Sequence, residues 1–68
     1  MYKLILNSFG KINVVERLSD NAFIPFDPAN TDYQNFKKQI NANEAQLEDA
    51  DGNLMTAEQA KAYVATLP

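Results

Sequence analysis

The sequence predicts a small α+β domain: an antiparallel β-hairpin or three-stranded sheet followed by two short helices. Three observations predict it. Residues 1–26 alternate apolar and polar side chains with β-branched enrichment. Two proline residues, Pro25 and Pro28, then break the strand pattern. Beyond them, two helix-start signals each precede apolar residues at helical spacing.

Tyr2, Leu4 and Leu6 alternate with Lys3, Ile5 and Asn7, the pattern of a half-buried strand. Ser8-Phe9-Gly10 follows, with Gly10 free to take the positive φ of a tight connection. In Lys11–Leu18, Ile12, Val14 and Leu18 fall in phase and Val15 falls out of it. That phasing predicts a strand covered on both faces or slightly bulged. Ser19-Asp20-Asn21 is turn chemistry, and Ala22-Phe23-Ile24 returns as a short third strand. Pro25 lacks a donor and ends that strand or confines it to an edge. Pro28 pushes Asp27 into an extended conformation, so the chain leaves the sheet as a stiff connector.

Asn30 or Thr31 caps the first helix, with Thr31–Gln34 spaced as a capping box. Tyr33, Phe36 and Ile40 form its apolar stripe, and Asn41-Ala42-Asn43 ends it. Residues 44–53 read as an acidic, irregular loop anchored by Leu47. Thr56-Ala57-Glu58-Gln59 is a second capping box, before Ala60, Tyr63, Val64 and Leu67 at i, i+3, i+4 and i+7. The chain therefore divides into a β part (1–26), a connector with its helix (27–43), and an acidic loop with a C-terminal helix (44–68), all in one domain.

Sixty-eight residues bury only about 60% of their unfolded surface, and domains this small draw on a disulfide, a metal or a partner for stability. The chain has no cysteine and no histidine, which removes disulfides, the usual zinc sites and thiol or imidazole catalysis. Self-association or docking onto a larger protein is left as the staple. The net charge is −3. Residues 1–43 carry net +1, and residues 44–68, with Glu44, Glu48, Asp49, Asp51 and Glu58 against Lys61, carry −4. Only Lys37-Lys38 approaches a basic cluster, so no nucleic acid partner is expected. The longest apolar runs are far short of a membrane span, and no charged segment precedes an apolar stretch as in a signal peptide. No membrane partner is expected.

One stretch invites a metal reading. With Gly52 aligned to the glycine of an EF-hand-type loop, Asp49 and Asp51 fall at ligand positions three and five and Glu58 at position twelve. Position one is Leu47, which offers no oxygen, so the bland alternative is an Asp-Gly turn followed by a helix cap. No cofactor is expected. The carboxylates lie in turns and first helical turns, where solvation and capping account for them, and no paired catalytic acids emerge; the reading is of a non-enzyme. Of seven aromatic residues, most, including Phe23, are expected in the core. Phe9, at a hairpin tip, is expected as an exposed partner anchor, and Phe26, beside both prolines, as either core or interface. A sheet edge is a further contact route, since Pro25 blunts only one of two.

Ile24-Pro25-Phe26-Asp27-Pro28-Ala29-Asn30-Thr31-Asp32-Tyr33-Gln34, after a hairpin beginning Tyr2-Lys3-Leu4, resembles a motif of small bacteriophage and prophage-encoded proteins. In these an Ile-Pro-x-Asp-Pro-x-Asn-x-Asp-Tyr core links a short β segment to a helix. The resemblance covers residues 20–43 and, loosely, the hairpin. The chain departs from it in having no tryptophan in the helix and Ala42-Asn43 where Gly-Asn is usual. The resemblance implies a virion-associated or tail-region structural protein, located in the virion, whose partners are other virion proteins or further copies of itself. It implies no catalytic residue. Two other readings stand beside it: a phage-encoded adaptor that contacts a host protein through its acidic 44–58 segment, and a weak calcium-binding accessory domain.

Overall fold

Four strands and two helices make up the computed structural model, which describes all 68 residues. The strands are β1 (Tyr2–Leu6), β2 (Ile12–Arg17), β3 (Ala22–Pro25) and β4 (Leu47–Glu48). The helices are α1 (Thr31–Asn41) and α2 (Ala57–Ala65). The sheet runs β3-β2-β1-β4. β1, β2 and β3 form an antiparallel meander, and β4 lies parallel to β1. The α+β class is as expected, but the sheet has four strands rather than three. The fourth comes from the segment expected to be irregular, where Leu47 pairs with Tyr2 and is fully buried.

The β1–β2 hairpin turns through Asn7, whose Oδ1 accepts from the N–H groups of Phe9 and Lys11. Gly10 takes a φ of +75°, the left-handed value this turn requires. Ile5 pairs with Val14 and Leu6 with Ile12, so Asn13 is an extra residue in β2. That bulge resolves the phase break at Val15. It places Val15, rather than Val14, toward the helices, opposite Leu4 and beside Ile24.

Both helices lie on one face of the sheet. The core consists of Tyr2, Leu4, Val15, Ile24 and Leu47 from the sheet, Tyr33, Phe36 and Ile40 from α1, and Ala60 and Val64 from α2. Each large apolar side chain buried there contributes about 1.5–3 kcal/mol. Asn30 caps α1 by accepting from the Tyr33 N–H at 3.0 Å. The Thr31–Gln34 box is not formed; Gln34 instead donates to the Pro28 carbonyl at 2.7 Å. At the other end Asn43 adopts a φ of +59°. Its N–H donates to Ile40 and that of Glu44 to Gln39, the paired bonds of a Schellman end. The capping box of α2 forms as expected between Thr56 and Gln59.

Candidate functional site

The sheet has one face under the helices and one face open, and the side chains on the open face follow from the register. Strand residues alternate between faces. Because Tyr2, Leu4, Val15 and Ile24 point inward, Lys3, Ile5, Val14, Glu16, Phe23 and Pro25 point outward. Two cross-strand rows result. One is Pro25–Val14–Ile5, entirely apolar; the next is Phe23–Glu16–Lys3–Glu48. Phe23 is 64% exposed, and neither Ile5, Val14 nor Phe23 packs against the core.

Phe9 sits at the hairpin tip, as expected, with 86% of its surface exposed. It lies at the end of the sheet nearest the Pro25–Val14–Ile5 row, while Leu6, 56% exposed, falls on the face of Tyr2 and Leu4. The open face and the tip thus combine the exposed Phe9, Phe23 and Pro25 with the half-buried Ile5 and Val14, apolar side chains of the kind that mark a contact surface. Phe26 belongs elsewhere. It is half-buried, with its ring 5.4 Å from Tyr33 and 6.5 Å from Phe36, so its main role is within the domain's own aromatic cluster. Phe23, assigned to the core on composition, belongs to the surface instead. The sequence carries the signal for it: Phe23 is out of phase with Ile24, and one layer of helices covers only one face.

The sheet edges carry less than expected. The Phe26 N–H donates to Asn13 at 3.1 Å, so even-numbered residues of β3 direct their backbone groups to β2 and odd-numbered ones outward. Of the outward residues, Pro25 has no N–H and its carbonyl accepts from Asp27 at 2.9 Å, which leaves Phe23 alone to pair with a new strand. At the far side β4 pairs with Tyr2 and Lys3 of β1, and Leu54 in turn bridges Glu48. The Met55 N–H donates to the Leu47 carbonyl at 2.8 Å. Strand addition is therefore disfavoured at β3 and beside Tyr2 and Lys3, whereas the register of β4 stops short of the Leu4–Leu6 end of β1.

Charge on the two faces is handled differently. On the helix side Arg17 donates through Nε and one terminal nitrogen to Asp20 and through the other to Asp32, at 2.8–3.2 Å. The Asp20 hydrogen bonds raise the Arg17 pKa, and the Arg17 bond in turn lowers that of Asp20. These two are the chain's ion pairs. Lys3, Glu16 and Glu48 on the open face take part in neither.

The calcium-loop residues do not converge. Asp49 Oδ1 accepts the N–H groups of Asp51 and Asn53, each at 2.9 Å, and these backbone bonds, that of Asn53 foremost, hold its pKa below the ordinary value. Asp51 and Glu58 are exposed, the latter in the first turn of α2, and no three acidic side chains gather. The Asp-Gly turn and helix cap describe this loop. Two surface depressions flank it. One, of about 300 Å³, is lined by Met1 and residues 43–46; the other, of about 160 Å³, lies between Ile40, Leu47, Met55 and Ala60. Glu44 is the one ionisable side chain on either wall.

Comparison with family models, curated proteins and solved structures finds no match to this chain. No helix is long and apolar enough to cross a membrane.

Proposed function

We propose that this chain is a non-enzymatic assembly domain, a bacteriophage virion-associated or tail-region structural protein that acts through protein–protein contact. The observation that carries the reading is the open sheet face. Ile5, Val14, Phe23 and Pro25 form an apolar surface outside the core, on a domain whose β3 edge is blunted by Pro25. An assembly role gives that surface a purpose and gives a domain of this size stabilising neighbours. The phage context rests on the resemblance of residues 24–34 to the Ile-Pro-x-Asp-Pro-x-Asn-x-Asp-Tyr motif. In the fold this segment is the stiff link that ends β3 and seats the cap of α1.

The test is fractionation of an infected or induced culture, with the protein quantified in purified particles and in cleared extract. Enrichment in particles at a fixed stoichiometry supports the reading. A protein abundant in extract and absent from particles overturns it in favour of an adaptor, whose contact would then be sought on the acidic side chains Glu44, Asp51 and Glu58, all exposed.

A further inference from the structure

We infer that the occupant of the open sheet face is a second copy of this chain, packed face to face about a twofold axis that runs along the strands between β1 and β2. This rests on the reading of that face as the contact surface and specifies what covers it.

The strand register makes this face complementary to itself. Lys3 and Glu16 are cross-strand partners, and so are Ile5 and Val14. All four lie on the open face, one pair at each level along the strands. A twofold axis parallel to the strands and midway between β1 and β2 lays β1 of one copy over β2 of the other. It leaves the height of every residue unchanged. Lys3 then meets Glu16 of the second copy, and Glu16 meets its Lys3. At the next level Ile5 meets Val14, again twice. Each self-contact at the axis is thus opposite in charge or apolar on apolar, as an isologous interface demands, and on the outer strands the same axis sets Phe23 opposite Glu48. The charges are also available for it, because neither Lys3 nor Glu16 forms an ion pair within the chain.

Packed sheets cross at about 30°, so the match is tightest at the axis, where these four residues lie. Phe23 and Glu48, on the outer strands, rim the contact. Its size sets its strength. Four strands spaced about 4.8 Å apart and about five residues long give a footprint of roughly 300 Å², against about 800 Å² per partner in a stable complex. The pair is therefore weak and concentration-dependent when free, and is reinforced where many copies are held close together.

The decisive experiment is sedimentation velocity of the full chain from about 10 μM to about 1 mM, with amide shifts followed over the same range. The expected result is a mass rising from one chain toward two, with shift changes centred on Ile5, Val14 and Glu16. Lys3→Glu and Glu16→Lys each weaken association by about tenfold or more, and the combined swap restores it, because both intermolecular pairs are then reversed together. Circular dichroism verifies that each variant is folded; should a single swap fail to fold, the shift map of the natural chain decides alone. A single-chain mass throughout overturns the proposal. So does an oligomer indifferent to the swaps, or one whose shifts centre on Phe9. These results leave the assembly reading intact, since that reading falls on absence from particles.

Discussion

Tyr2 stands edge-on to Phe36, with ring centroids 4.9 Å apart and planes inclined at 66°, and its hydroxyl donates to Gln39 Oε1 at 2.6 Å. One side chain thereby joins β1 to α1 through both an aromatic contact and a hydrogen bond. The layers of the domain are held together at this point, with Tyr33 and Phe26 completing the cluster.

Phe36→Ala is therefore expected to remove most of the domain's stability. Truncating a buried phenylalanine costs about 3–5 kcal/mol, while a chain of this size holds about 3–10 kcal/mol in all. Urea titration followed by tyrosine fluorescence measures the loss. Phe36→Leu, which keeps most of the volume, should remain folded. A Phe36→Ala variant as stable as the natural chain would show that the cluster is not the centre of the core.

The helix caps are expected to contribute separately. Thr56 and Gln59 bond reciprocally at the start of α2, and Asn30 caps α1. Thr56→Ala and Asn30→Ala should each cost about 1 kcal/mol. Their effects should add, because the two helix starts share no bond in the structure. Denaturation midpoints of the two single variants and the double variant test this. Strong non-additivity would mean that the helices form as one unit.

These elements show what the sequence makes legible and why. Strands, helices and the second cap are local, and their signals lie within a few residues: the alternation of Tyr2–Leu6, the stripe of Tyr33, Phe36 and Ile40, and the Thr56–Gln59 spacing. β4 is not local. Two residues give no periodicity, and Leu47 becomes a strand only because Tyr2 is beside it. The phase of β2 likewise depends on Asn13, whose extra place is visible only when Ile5 and Leu6 are set against it. Shifting that phase moves Val14 onto the open face and Val15 into the core. The open face is hidden from sequence for the same reason: the hairpin tip at Phe9 can be seen from one turn, whereas the face of Ile5, Val14 and Phe23 exists only once three strands are in register.

Alkaline pH is expected to destabilise the fold. Burial raises the pKa of Tyr2, Tyr33 and Tyr63 above their ordinary value of 10.0. The hydroxyls of Tyr2 and Tyr33 also donate hydrogen bonds, to Gln39 and to the Pro68 carbonyl, that require the proton. Above pH 10 the unfolded chain loses these protons first, so it binds fewer than the folded chain and stability falls as pH rises. The tyrosine contribution is level below that pH and declines from it up through the folded pKa values. Urea midpoints across this range, with tyrosinate absorbance recorded in parallel, provide the measurement. Tyr2→Phe should flatten the decline, and an unchanged slope would remove Tyr2 from the account.

Calcium is expected to leave the melting temperature unchanged, because Asp49 is engaged by the N–H groups of Asp51 and Asn53 rather than turned toward Glu58. Differential scanning calorimetry with chelator and with millimolar calcium tests it, and a calcium-dependent rise would restore the metal reading of the loop. Asp49 has its own pH signature. Its depressed pKa means that the stability it contributes is present above the ordinary carboxylate range and is lost as pH falls through the folded value. Asp49→Ala should remove that acid-side decline together with the turn it holds.

The two exposed aromatics separate the tip from the face. Phe23 projects from β3 opposite Glu16, outside the core, and Phe9 caps the hairpin turn. Neither fills a cavity in the domain, so Phe9→Ala should change folding stability by no more than about 0.5 kcal/mol, and Phe23→Asp, which places a like charge opposite Glu16 within the sheet, should cost about 1 kcal/mol. Their effects on assembly should differ. Phe23→Asp sets a carboxylate beside Glu16 and on the open face, and it should reduce incorporation into particles in a complementation assay. Phe9→Ala tests the tip alone. Loss with Phe23→Asp and none with Phe9→Ala would assign the contact to the face; the reverse would assign it to the hairpin tip. Normal incorporation of both would remove the exposed aromatics from the assembly surface.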